Sequence, residues 1–178
     1  MEAKLAAACV PLLARGLPKL SEGTLVFTEQ DHAQATFCRK LEKADGALDF
    51  AEPATSLAAR INGLFPWPAC SVEINGLPVK LGLADVIAES DCHVLSDKLP
   101  TSGVEPGTVL ACDAEGVRIA TGQGMLRLRR LQRAGGKMLS AADFLRGFTL
   151  SVGEKLASQP MNALVASQPF PRLKRTGA

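Results

Sequence analysis

Aromatic side chains are scarce in this sequence: 4% of its 178 residues, with one tryptophan and no tyrosine. Platforms that stack successive unpaired bases are built from such rings, so single-strand nucleic-acid binding by stacking is disfavoured. Long apolar runs are also missing, and none reaches the roughly 18 residues that a membrane span requires. Nor is there a charge excess. Twenty Lys and Arg against 18 Asp and Glu leave a formal +2, which by itself announces no polyanionic partner. Cysteine has no framework: Cys9, Cys38, Cys70, Cys92 and Cys112 are widely spaced, with no Cys-x-x-Cys pair. An odd, scattered set reads as reduced intracellular thiols. Asp91-Cys92-His93 invites a metal reading, but neighbours in an extended segment point to opposite faces and no second ligand pair exists. Leu5-Ala6-Ala7-Ala8-Cys9 is faintly like a lipoprotein cleavage box, yet the apolar stretch before it is too short for a signal peptide, so a cytoplasmic location is expected. Collagen, coiled coil, disordered tail and membrane span are excluded. What remains is one ordinary domain, or a small domain with an appendage, able to bury roughly 70% of its unfolded surface.

Residues 3–22 are rich in Ala and Leu near helical spacing, but Pro11 and Pro18 each lack a backbone donor, so short, broken helices are expected there. The segment looks too short to bury its own apolar face. Residues 24–52 read as a polar connector pinned by Phe27, Phe37, Leu41, Leu48 and Phe50. A helix begins near Pro53, with Thr55 or Ser56 as caps and Leu57, Ile61 and Leu64 on one face. Pro66-Trp67-Pro68 stops it. Then the texture changes to strands: Ser71–Ile74, Pro78–Ala88, Gly107–Cys112, Val117–Thr121 and Met125–Leu131. Asn75-Gly76, Asp113-Ala114-Glu115-Gly116 and Gly122-Gln123-Gly124 separate them as turns. Ser140 caps a second helix that ends at Gly147. Five short strands with a helix at either side predict a mainly β fold, a small OB-like Greek-key barrel with flanking helices, preceded by a helical stub and an extended linker. Residues 151–178 read as a loosely held tail.

The small net charge hides an uneven distribution. From Gly116 to Gly147 stand Arg118, Arg127, Arg129, Arg130, Arg133, Lys137 and Arg146 against the single acid Asp143. From Asp85 to Glu115 the balance is reversed, with Asp85, Glu89, Asp91, Asp97, Glu105, Asp113 and Glu115 against Lys98. Arg127 and Arg129 on the outer side of a strand, followed by Arg133 and Lys137, would make a basic edge on the barrel. Such an edge attracts phosphates by counterion release, and with so few aromatics the backbone and shape of folded RNA suit it better than single strands.

Four segments then become familiar. They are LSEGT followed by TEQDHAQATFCRKLEKADGALDF; INGLFPWPAC; EINGLPVKLGLADVI; and ATGQGMLRLRRLQRAGGKMLSAADFLRG. Together they resemble the C-terminal part of the methionyl-tRNA formyltransferases, from Lys4 to about Gly147. The resemblance implies that residues 1–25 are the end of a catalytic domain, 26–52 an interdomain linker, and 53–150 an OB-like domain that grips tRNA. It implies tRNA contacts at Lys40 and Lys43 in the linker and at Arg127, Arg129, Arg130, Arg133 and Lys137. The family transfers formyl from 10-formyltetrahydrofolate to initiator methionyl-tRNA, using an Asn-x-His pair before a Ser-Leu-Leu-Pro loop and a later Asp. Nothing here matches those motifs, since His32 lies in the linker and His93 in a loop. The chain is therefore expected to carry no catalytic residue, no metal and no bound cofactor, with 10-formyltetrahydrofolate only a co-substrate of the full-length enzyme. Asn62 stands where the pattern prefers Arg, Phe65 where it prefers Asn, and Gly136 replaces a lysine. Trp67 is read as an anchor that packs the helix end onto the barrel.

On this reading Met1 falls inside a longer protein, and residues 3–22 await a catalytic domain or a substitute partner. A stand-alone, non-catalytic RNA- or ribosome-binding module is the alternative. A formyltransferase acting on a sugar nucleotide or folate is a third possibility, and Leu-Gln-x-Ala-Gly-x-Lys with the Arg cluster favours the tRNA enzyme over it.

Overall fold

A computed structural model describes residues 2–87 and 103–171. Asp91-Cys92-His93, considered above for metal, and Ala88, the last residue of the expected second strand, lie outside them. The chain divides into two compact units, Met1–Thr36 and Phe37–Ala178.

The first unit is dominated by one continuous helix, α1 (Glu2–Ser21), with Pro11 and Pro18 inside it. This corrects the expectation of short, broken helices. Each proline removes one backbone donor, and the Ala- and Leu-rich sequence around it has high enough helix propensity to carry the helix through. The two prolines are seven residues apart and share one side of the helix. Side chains also use the carbonyls near them: Arg15 Nε donates to Pro11 O at 3.2 Å and Ser21 Oγ to Pro18 O at 2.8 Å. The helix ends where Gly23 turns to φ +68° and the Thr24 amide donates back to Lys19 O at 2.9 Å, a left-handed termination. Its leucines (Leu5, Leu12, Leu13, Leu17 and Leu20) are exposed, and the expected unburied apolar face is present.

The second unit is mainly β and barrel-like. Its strands are β1 (Phe37–Cys38), β2 (Cys70–Ile74), β3 (Leu77–Ile87), β4 (Val109–Asp113), β5 (Gly116–Ala120), β6 (Met125–Arg133), β7 (Leu139–Ser140) and β8 (Val165–Ala166). The helices are α2 (Ala54–Leu64) and α3 (Ala141–Arg146). Five of these strands fall within two residues of the bounds expected from the sequence. The six-stranded sheet is antiparallel in the order β2-β3-β6-β5-β4, with β7 also on β6. Thus β6 pairs with β3 along one edge, and with β5 and then β7 along the other. Strand alternation buries Val79, Leu81, Val117, Ile119, Leu126, Leu128 and Leu131 completely. Asn75 and Gly76, at φ +53° and +73°, make the tight hairpin expected between β2 and β3.

Three expectations need correction here. Neither Thr55 nor Ser56 caps α2; Pro53 is the N-cap, and the Ala54 amide donates to Gln123 O at 2.9 Å. The helix start is therefore tied to the Gly122–Gly124 turn rather than to a side chain. Phe27, expected to pin the connector, is 79% exposed, whereas Leu48 and Phe50 are buried. The stretch from 151, expected to be a loose tail, is stitched into the domain as far as described. The Val109 amide donates to Glu154 O, that of Leu156 to Gly107 O and that of Gln159 to Leu48 O. Leu156 is buried, and β8 pairs with β1. These long-range pairings leave no local periodicity for a sequence reading to find.

Candidate nucleic-acid interface

The site starts from β6, whose inward residues are all apolar and whose outward ones are nearly all cationic. Register decides what each cation meets. Arg127 lies opposite Asp85 on β3 and Arg118 on β5. Its guanidinium grips the Asp85 carboxylate at two points, Nε to Oδ1 at 2.8 Å and Nη2 to Oδ2 at 2.9 Å. Arg129 Nη1 adds a contact to Asp85 Oδ2 at 3.2 Å, Glu115 stands 3.7 Å from Arg127, and Arg118 pairs with Asp113 at 3.0 Å. The hydrogen bonds from Arg127, reinforced by Arg129, hold the Asp85 carboxyl below the usual carboxylate range against the opposing effect of desolvation. The sequence separates a basic stretch from an acidic one; antiparallel pairing interleaves them at this end of the sheet. Arg118, Arg127 and Arg129 are therefore neutralised locally.

The other end of β6 is different. Arg130, Arg133 and Lys137 are exposed and have no ion-pair partner among the described residues. The β6–β7 loop is held over the sheet there. Gln132 Nε2 donates to Gly136 O, the Gly136 amide donates to Arg133 O at 3.0 Å, and Gly135 takes φ +71°. A Cβ on Gly82 would stand 2.5 Å from Met138 Sδ, so it is glycine at 82 that lets Met138 settle on β3. Beneath the loop lies an open hollow of about 250 Å³, lined by Ser71, Pro78, Lys80, Gln132, Arg133 and Gly135 among others. Lys80 was not among the residues singled out from the sequence. Its signal was available in Val79-Lys80-Leu81, an apolar–cationic–apolar alternation that turns the lysine outward.

Lys40 and Lys43 lie apart from β6, and both are exposed. Lys40 borders a groove of about 770 Å³ that also includes Phe37, Arg39, Asn162 and Phe170. Lys43 opens a 3-10 turn, Lys43–Gly46, whose Gly46 lies against Ala69 just before β2. Bracketing the two lysines is an ion-pair staple from Arg39 to Asp45 that sequence reasoning missed. Asp45 is fully buried and accepts from Arg39 Nη1 at 3.0 Å, from Arg39 Nη2 and from the Glu42 amide at 2.7 Å. Arg60 Nε donates to Asp45 O at 3.0 Å, and its Nη1 to Asn162 O at 3.1 Å. Asn62 makes a two-point clamp on β3, donating to Ala84 O at 2.7 Å and accepting from the Ala84 amide at 2.9 Å. Trp67 is 57% exposed, which corrects its reading as a packed anchor: the helix end is fixed by the Ala69 amide on Leu64 O at 3.0 Å instead. Burial pushes the Cys70 thiol up to about 11, so that cysteine is a core residue rather than a reactive one.

The arrangement is that of a small barrel-like domain that presents cations from one face of its sheet. Residues 40–149 match the family described as Formyl transferase, C-terminal domain, and the chain belongs to that family. Its relatives include the methionyl-tRNA formyltransferase of Ralstonia pickettii, 35% identical over 149 residues, which are 83% of this chain and 42% of that protein. The enzyme of the same name from Verminephrobacter eiseniae is 38% identical over 153 residues, covering 84% and 45%. The chain thus spans less than half the length of these curated relatives. Among solved structures, HypX from Aquifex aeolicus, determined with tetrahydrofolic acid, shares the fold with a TM-score of 0.51 at 22% identity, over 77% of this chain and 22% of that one.

Proposed function

We propose that this chain is the tRNA-gripping C-terminal portion of a methionyl-tRNA formyltransferase, its barrel of the OB type. The observation that carries the reading is the set of exposed cations without an ion-pair partner among the described residues, held on a formyl-transferase C-terminal domain. Arg130, Arg133 and Lys137 stand at one end of β6, with Lys40 and Lys43 on the linker side. Arg127 and Arg129 are tied to Asp85, so in this reading they contribute less to the contact than the cations whose donors are free. In this reading residues 1–25 close a catalytic domain, 26–52 are the linker, 53–150 hold the tRNA, and the exposed leucines of α1 are the face on which the remainder of the enzyme packs. Work in translation initiation implies a cytoplasmic location.

In the full-length enzyme 10-formyltetrahydrofolate supplies the formyl group and the amino group of initiator methionyl-tRNA receives it. In this reading the folate is held by the catalytic domain, and the grooves described above open to solvent. Its part is binding. The cations displace counterions from the tRNA backbone, and the rigid sheet fixes the direction in which the acceptor end leaves.

The test is a titration of fluorescent initiator tRNA with the purified chain across salt concentrations. Neutralising about four phosphates gives a log–log slope near −3.6, or about a 100-fold loss between 50 and 200 mM salt. A flat salt response, or no binding at low salt, overturns the reading. Formyl transfer by the chain alone is expected to be nil.

A further inference from the structure

We propose that the hollow beneath the β6–β7 loop is a phosphate subsite, with Lys80 as its central cation and an RNA backbone phosphodiester as its ligand. The inference rests on the tRNA-binding reading above and assigns a place and a residue to it. Val79 and Leu81 are fully buried, so the strand fixes Lys80 outward between them. Ser71 on β2 and Gln132 on β6 lie directly opposite Lys80. That row therefore presents a hydroxyl, an ammonium and an amide, with no carboxylate among them. The nearest acid by register is Glu73, one outward row away and opposite Pro78, at the border of the hollow rather than in it. Asp85, the acid on β3, is already saturated by Arg127 and Arg129.

The loop completes the site. Gln132 spends an amide hydrogen on Gly136 O, which ties the loop to β6, and the Met138 side chain against Gly82 ties the loop to β3. Lys80 and Arg133 both line this space of about 250 Å³, with Lys137 further along the same loop, and none of the three has an ion-pair partner among the described residues. The hollow is open to solvent and has room for a phosphate group. Like charges held together without a counter-charge repel, and an anion relieves that repulsion. Position adds a further argument. Lys80 stands on β3, between β2, against which the Lys43 turn lies, and β6 with its arginines.

The experiment compares Lys80→Ala, Lys80→Arg, Arg133→Ala and Arg146→Ala in the full chain, each checked for an unchanged thermal melt. Arg146 is an exposed cation engaged with Asp143 and controls for loss of one charge. Fluorescent tRNA is titrated at several salt concentrations. Lys80→Ala and Arg133→Ala are each expected to reduce the salt slope by about one and the low-salt affinity about fivefold, equally for tRNAs of different sequence. Lys80→Arg should keep the slope, and Arg146→Ala should leave it unchanged. A wild-type slope that persists in Lys80→Ala overturns the subsite and leaves the tRNA reading standing. A wild-type chain without salt-dependent binding overturns both.

Discussion

Asp45 is the one fully buried charged residue among those described, and its surroundings explain why it is tolerated. The Arg39 hydrogen bonds are the largest influence holding its carboxyl below the ordinary range; burial opposes them, and the Glu42 amide adds to them. A carboxyl with a depressed folded-state pKa stabilises the fold at every pH above its unfolded value near 3.9. That contribution is lost as pH falls through the lower folded value. Asp45→Asn breaks the pair and leaves Arg39 without its counter-charge, for a cost of about 3 kcal/mol at neutral pH. Urea denaturation checks this: the midpoint should fall at pH 7, and the difference from wild type should shrink toward pH 3. A constant difference across that range would mean that Asp45 acts through shape alone. The sequence displayed three cations in Arg39-Lys40-x-x-Lys43 and offered no means of choosing among them. The choice is made by the 3-10 turn, which reaches back to Arg39 and leaves both lysines in solvent. The same limit applies to Arg127, whose outward direction was legible from alternation and whose partner Asp85, 42 residues away, was not.

At the scale of elements, strands were legible because one face of each is apolar and glycine or asparagine marks each turn. Elements fixed by distant backbone contacts were not. β1 and β8 are two residues each and exist because they pair with each other across the length of the domain. The start of α2 belongs to the same class, since its first amide is satisfied by the Gly122–Gly124 turn. Gly122 makes that approach possible: its amide donates to Phe50 O at 2.9 Å, and a Cβ there would fall 1.7 Å from Ala51 O. The obstacle is backbone, with no flexible side chain to yield. Gly122→Ala is therefore expected to lower stability by about 3 kcal/mol by forcing the α2 start away from the sheet. Denaturant unfolding reads the loss, and a stability within 0.5 kcal/mol of wild type, roughly what a surface substitution costs, would mean that the turn moves freely.

At the scale of the whole molecule, a net charge of +2 says little about partners, because folding neutralises some cations and leaves others bare. The two units also differ in what holds them. Both buried apolar clusters are drawn from residues of Phe37–Ala178, and none of their members or packed neighbours belongs to Met1–Thr36. The first unit instead leaves the leucines of α1 54–62% exposed, an apolar stripe of the kind that marks an interaction face. These facts together predict the behaviour of a chain reduced to residues 37–178. Having lost no part of the core, it should unfold cooperatively with a melting temperature within about 3 °C of the full chain, since 1 kcal/mol moves a domain of this size by roughly that amount. Having lost the stripe, it should bind much less of an apolar dye such as ANS and resist aggregation better. Having kept Lys40, Lys43, Lys80, Arg130, Arg133 and Lys137, it should retain the salt slope of the full chain toward tRNA. A shortened chain that melts without cooperativity would show that α1 supports the barrel. One that folds but loses the slope would move the binding surface to the first unit, where Lys4, Arg15 and Lys19 would then have to carry it.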